Sequence, residues 1–91
     1  MILRYFATLR EVTGKKEETW PEPVEDLAGL IESLTRKYGS QFAKWVSPGD
    51  DGFGSLCIIL VNGQDYRSLD GAGTRLNPND TISFFPPIAG G

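Results

Sequence analysis

The 91-residue chain contains no histidine and a single cysteine, Cys57. Without histidine, the usual zinc sites, the Ser-His and Cys-His nucleophile pairs and the commonest general base are all missing. One cysteine cannot close an internal disulfide. Cys57 lies in an apolar run, so it reads as a small buried hydrophobe rather than a reactive thiol. No apolar stretch reaches the roughly 18 residues that suggest a membrane span, and no membrane partner is expected. Met1 to Phe6 look like a strand, not a signal peptide, which makes a cytoplasmic location the expectation. Basic residues are outnumbered, 9 Lys and Arg against 12 Asp and Glu. No basic stripe for nucleic acid follows from such a balance. Asp50 and Asp51 lack the spacing and the glutamate of a calcium loop and read as a plain acidic turn. With no metal cluster, no nucleophile motif and no directly bound cofactor to expect, independent catalysis is not expected.

What is present is enough for one small domain. Apolar residues make up 40% of the chain and charged residues 23%, ordinary proportions for a globular protein. Alternation over residues 2 to 9 predicts a strand with Leu3, Tyr5, Ala7 and Leu9 on one face and Ile2, Arg4, Phe6 and Thr8 on the other. Thr13-Gly14-Lys15-Lys16 signals a turn, and residues 17 to 20 a returning strand. The charges of Lys15, Lys16, Glu17 and Glu18 read as a solvated hairpin tip. After Pro21-Glu22-Pro23, the residues Val24, Leu27, Ile31, Leu34 and Tyr38 recur at steps of three and four. That is one face of a helix over 24–38, with Gly39 as its cap. Gly29, inside it, suggests a close approach to a strand.

Residues 40–54 read as a short helical turn and then a flexible loop. Leu56-Cys57-Ile58-Ile59-Leu60-Val61 is the most apolar run and reads as a central strand. Asn62-Gly63 is a tight-turn dipeptide, followed by a short strand over 64–67 and a loop at 70–73. The last strand, 81–85, sets Ile82 and Phe84 against Ser83 and Phe85. The expected architecture is α+β, with strands packed against one main helix. If the first and last strands are neighbours, Phe6 and Phe85 share the face away from the helix. An apolar patch there marks a docking surface.

The ending, Phe84-Phe85-Pro86-Pro87-Ile88-Ala89-Gly90-Gly91, combines a stop with a spacer. Pro86 and Pro87 end any ladder after Phe85 and favour extended geometry. At about 3.1 Å per residue, residues 88 to 91 reach roughly 12 Å from the body. Gly90 and Gly91 have no Cβ, so a partner can close around their backbone. The one reactive group such a tail offers is the Gly91 α-carboxylate.

Tyr5-Phe6-Ala7-Thr8-Leu9-Arg10-Glu11-Val12-Thr13-Gly14, Val61-Asn62-Gly63 and the run from Asn79 to Gly91 together cover both ends and the middle of the chain. They resemble the β-grasp, ubiquitin-like sulfur carriers of the MoaD/ThiS type, most closely the small subunits of molybdopterin synthase. The opening follows that family's Phe-Ala-x-x-Arg-Glu-x-x-Gly pattern and the ending its Phe-Phe-Pro-Pro-x-x-Gly-Gly pattern. The connection at 47–54 is longer than the family's. The resemblance implies a β-grasp of four to five strands over residues 1–87 and a flexible tail over 88–91. It implies that an ATP-dependent activating enzyme of the MoeB kind adenylates Gly91, ATP being used by that partner and not held by this chain. A persulfide would then convert the adenylate to a thiocarboxylate for a large synthase subunit of the MoaE kind. Phe6 and Phe85 would dock the partner, with Arg10 at the rim, while Pro86, Pro87, Ile88 and Ala89 carry the tail to Gly90 and Gly91. Alternatives on the same chemistry are an archaeal-type protein modifier joined through Gly91 to lysines of target proteins, and a thiamine or tRNA sulfur carrier. A plain binding module stands outside that chemistry.

Overall fold

The computed structural model describes residues 1–46 and 57–86. The expected loop at 47–54 and the tail beyond Pro86 lie outside the described residues. Five strands form one mixed sheet, β1 (Ile2–Tyr5), β2 (Glu17–Thr19), β3 (Ile58–Val61), β4 (Gln64–Asp65) and β5 (Thr81–Phe85), in the order β2-β1-β5-β3-β4. Three α-helices, α1 (Thr8–Thr13), α2 (Leu27–Tyr38) and α3 (Ser40–Val46), and two 3-10 turns, Tyr66–Ser68 and Gly71–Gly73, complete the described fold. The first and last strands are parallel neighbours, pairing Tyr5 with Phe84 and Arg4 with Ser83. β3 runs antiparallel on the other side of β5, pairing Ile59 with Phe84 and Ile58 with Phe85.

Period-two alternation then sorts the side chains. Leu3, Tyr5, Ile59, Ile82 and Phe84 are fully buried on one face, together with Leu27, Leu30 and Leu34 of α2 and Phe42 and Val46 of α3. Tyr5 stacks on Phe84 at 5.8 Å between ring centroids, and Phe42 stands edge-on to both at 6.4 and 5.9 Å. These offset and edge-to-face arrangements are the ones aromatic quadrupoles favour. Cys57 is buried as expected, and burial pushes its thiol up to about 12, against a smaller opposing pull from Arg67. It is a packing residue.

The elements differ from the sequence expectation in several places. The first strand stops at Tyr5 rather than Leu9, because the chain turns at Ala7 and winds into α1. Leu9 is buried from that helix instead. Gly14, at φ 75°, is the cap of α1, its N–H donating to the Arg10 carbonyl, and not the tip of a simple hairpin. The main helix starts at Leu27, not at residue 24. Backbone on either side of Asp26 pairs with Thr74 and Leu76, and the Asp26 carboxylate caps α2 by accepting from Gly29 N at 2.9 Å. A Cβ on Gly29 would meet that same carboxylate oxygen at 3.3 Å, so this glycine makes room for the cap and not for a strand. Residues 64–67 form only two residues of strand before a 3-10 turn over Tyr66–Ser68, where Asp65 accepts from Arg67 N.

Glu18 is the largest departure. It was expected on a solvated tip, but β2 pairs it with Leu3, which turns it toward the helices. Only 8% of its side chain is exposed. It accepts from Tyr5 Oη at 2.6 Å, from Tyr38 Oη, from Lys37 Nζ at 3.1 Å and from Lys15 Nζ at 3.2 Å. Burial alone would raise its pKa, but the bonds from Tyr38, Tyr5, Lys37 and Lys15 outweigh it and hold the carboxyl at about 2. Burial, then the hydrogen bond to Glu18 and its charge, push both tyrosines upward. One carboxylate thus ties an edge strand to the core strand and to the end of α2. A carboxyl depressed by folding stabilises above its unfolded pKa, and loses that contribution as pH falls toward its folded value. Glu18→Gln is therefore expected to lower stability at neutral pH by about 2 kcal/mol, the scale of hydrogen bonds to a charged group. The difference from wild type should shrink between pH values of about 4.5 and 2. Urea denaturation of both proteins across that range checks this; equal stability at neutral pH contradicts it.

Candidate docking face and tail root

β5 occupies the middle of the sheet and delivers the chain at Phe85 to a buried Pro86. Pro87, Ile88, Ala89, Gly90 and Gly91 lie outside the described residues. What surrounds the point of departure is well defined. Phe85 stacks on Phe6 at 4.2 Å between centroids and 12° between planes. The two rings are half-buried on the face turned away from α2. The sequence expectation that they would meet there holds.

Arg10 reaches the same place from α1. Its guanidinium lies 5.2 Å from the Phe6 centroid, and its Nε donates to the Tyr5 carbonyl at 3.0 Å. Arg4, two residues before Phe6 and so on the same face, lies 5.4 Å from the same ring. Each such contact at a half-exposed ring contributes about 0.5–1 kcal/mol. Neither arginine forms an ion pair among the described residues.

Three further residues belong to this face and were not singled out from sequence: Ile58, Leu60 and Arg4. Ile58 pairs with Phe85 and Leu60 with Ser83. Ile58 is 45% exposed, and among the described residues it is the exposed large hydrophobic. The signal was available in the strict alternation of Ile58 and Leu60 with buried Ile59 and Val61. The unbroken apolar run concealed it, because such a run reads as a strand buried on both faces.

The corner that holds Phe6 and Arg10 beside Phe85 is strained. Ala7 has φ 51° and ψ −129°, and Leu9 N donates to the Phe6 carbonyl at 3.1 Å. That is the first central position of a type II′ turn, where glycine is the usual residue. An alanine pays for its Cβ there. The turn reverses the chain just after Phe6, so that α1 brings Arg10 back over the ring.

The arrangement offers an apolar patch, a cationic border and a departing chain. A ThiS family model matches residues 3–91. The chain belongs to the ThiS family. It is 36% identical to the small archaeal modifier protein 3 of Haloferax volcanii over 90 residues, 98% of this chain and 96% of that one. The solution structure of small archaeal modifier protein 1 from Methanosarcina acetivorans superposes with a TM-score of 0.80 at 33% identity, covering 99% of this chain and 94% of the other. A putative molybdopterin converting factor subunit 1 from Pyrococcus furiosus superposes at 0.72 with 25% identity, covering 96% and 95%. The fold is the ubiquitin-like β-grasp, and this ThiS-family chain stands among ubiquitin-like sulfur carriers and modifiers.

Because Ala7 sits where glycine is favoured, Ala7→Gly is expected to stabilise the protein by about 1 kcal/mol, the relief of strain exceeding glycine's added chain entropy. Chemical denaturation measures it. A variant less stable than wild type contradicts the strained-turn assignment.

Proposed function

We propose that this chain is a ubiquitin-like modifier whose C-terminal glycine, Gly91, is activated by a partner enzyme and joined to lysines of target proteins. The observation that carries the reading is the position of the tail root. β5 ends at Phe85, inside the Phe6–Phe85 stack, and the six residues that follow it in the given sequence finish with Gly90-Gly91. A partner that grips the aromatic pair is thereby within reach of the terminal carboxylate. Phe6 and Phe85 are its docking residues, Arg10 lies at the rim, and Pro86 to Ala89 are the spacer.

The chemistry follows from the functional group. A carboxylate is a poor acyl donor, because oxide is a poor leaving group. Attack of a Gly91 oxygen on the α-phosphorus of ATP expels pyrophosphate and gives an acyl adenylate. A lysine Nζ then attacks the carbonyl, AMP leaves, and an isopeptide bond forms. On the sulfur route a persulfide attacks the same carbonyl and AMP leaves; a thiol then reduces the resulting acyl disulfide, which releases a disulfide and leaves a thiocarboxylate. ATP belongs to the activating enzyme in both routes, and the chain presents a group without catalysing its transfer.

The modifier route has the stronger support, from the 36% identity to a small archaeal modifier over nearly the full length of both chains. The molybdopterin route is the second reading, supported by the likeness to a converting-factor subunit from Pyrococcus. In that route a MoeB-like enzyme activates the chain and a MoaE-like subunit receives the sulfur.

Incubating the full chain with ATP, the activating enzyme of its own genome, a persulfide donor and a cell extract separates them. Conjugates on a blot, lost when Gly90 and Gly91 are deleted, are the expected result. A mass gain of one sulfur in place of one oxygen with no conjugates selects the carrier route instead. Conjugates that persist without Gly90 and Gly91 contradict the assignment of the tail.

A further inference from the structure

The turn between β3 and β4 carries a chemistry that the tail does not use. Val61 pairs with Gln64, so Asn62 and Gly63 alone make the loop, with φ 53° and 86°. Two positive values in a two-residue hairpin loop belong to a type I′ turn, which favours Asn-Gly. The same dipeptide is open to attack from within its own backbone. Glycine has no Cβ to shield its nitrogen, and that nitrogen is one ring closure away from the carbon of the asparagine side-chain amide. The other two asparagines are less exposed to this reaction. Asn77 precedes Pro78, whose nitrogen carries no proton to give up, and Asn79 precedes the bulkier Asp80.

The fold holds the Asn62 amide away from Gly63. Its Nδ2 donates to Asp80 Oδ1 at 2.9 Å, and its Oδ1 accepts from Thr81 N at 2.9 Å. Asn62 N donates to the Thr81 carbonyl at 2.8 Å. Asp80 is buried. Its second carboxylate oxygen accepts from Asn77 N at 2.8 Å, and its backbone carbonyl accepts from Ile2 N at 3.0 Å. One amide thus latches the β3–β4 turn to the start of β5 and, through Asp80, to the start of β1. Both ends of that amide must let go before its carbon can meet Gly63 N.

We propose that the Asn62–Gly63 bond is a modification site, gated by opening of the β3–β4 turn, whose product does not re-form the latch. In the open turn the Gly63 nitrogen attacks Asn62 Cγ, loses its proton and expels ammonia, which gives a five-membered succinimide. Water then adds to one of the two ring carbonyls and leaves aspartate or isoaspartate at position 62. The balance consumes one water and releases one ammonia. Aspartate puts a carboxylate where an amide donor met Asp80, and two carboxylates at that distance do not both stay ionised. Isoaspartate adds a carbon to the main chain between β3 and β4, which breaks the pairing of Val61 with Gln64. Either product frees the start of β5. The chain therefore keeps a one-way record of the time this turn has spent open, independent of the chemistry at its tail.

The test ages the full chain at mildly alkaline pH, folded in buffer and unfolded in urea. It follows the mass change of one NH2 replaced by OH, placed by peptide mapping. Reaction at Asn62 is expected in both, slower in the folded chain by about tenfold or more, because opening breaks two hydrogen bonds, one of them to a charged acceptor. In the aged folded chain, amide exchange at Ile2, Asn62 and Thr81 is expected to quicken. Asn62→Asp is expected to be less stable than wild type at neutral pH in urea denaturation. A carboxyl whose pKa folding raises costs stability above its folded value and none below its unfolded one, so the gap should narrow as pH falls. A turn that was merely looser would not give that profile. Equal rates in the folded and unfolded chains overturn the gating, and reaction at Asn79 instead of Asn62 overturns the site. Unchanged exchange in the aged chain, or Asn62→Asp as stable as wild type at neutral pH, overturns the latch. If that variant folds at no pH, the rate and exchange measurements on the wild-type chain decide.

Discussion

Parallel pairing of β1 with β5 is the constraint from which the rest of this structure follows. It brings the two ends of the sequence side by side at the centre of the sheet. Because side chains alternate along a strand, each end contributes one aromatic to each face. Tyr5 and Phe84 go inward and stack in the core; Phe6 and Phe85 go outward and stack in the open. The same register that builds the core therefore builds the candidate docking face. A one-residue slip would send Phe6 inward and Tyr5 outward and destroy both together.

The remaining elements support that pairing from its two sides. α2 and α3 roof the inner face with Leu30, Leu34, Phe42 and Val46. Glu18 secures the edge strand β2 to Tyr5 beneath the roof and to Tyr38 at the end of α2. On the far side of β5, Asn62 adopts φ 53° in the turn between β3 and β4. Its amide donates to Asp80 at 2.9 Å and accepts from Thr81 N at 2.9 Å, which fixes where β5 begins.

Much of this was legible in the sequence. The inner and outer assignments of Tyr5, Phe6, Phe84 and Phe85 followed from alternation, and α2 from the spacing of Leu27, Ile31 and Leu34. Where the reading failed, tertiary pairing outweighed a local signal. The strand expected to run to Leu9 ends at Tyr5, and the chain turns at Ala7 in a conformation that alanine does not advertise. Glu18 looked solvated because it is charged and sits among charges. Its inward position needed the register of β2 against Leu3, although alternation with buried Trp20 hinted at it. Ile58 and Leu60 were hidden in an apolar run whose outer half becomes visible only when the sheet has an uncovered face. The tail is the reverse case: Gly90-Gly91 stands out by composition and position alone, and the fold adds only the surroundings of its root.

Nuclear magnetic resonance titration of the isotope-labelled full chain with its activating enzyme and ATP tests the central claim most directly. The account predicts perturbed signals at Arg4, Phe6, Arg10, Ile58, Leu60 and Phe85 and along the tail to Gly91, with the exposed side of α2 silent. Perturbations confined to α2 and α3, with the open sheet face and tail unchanged, would contradict it.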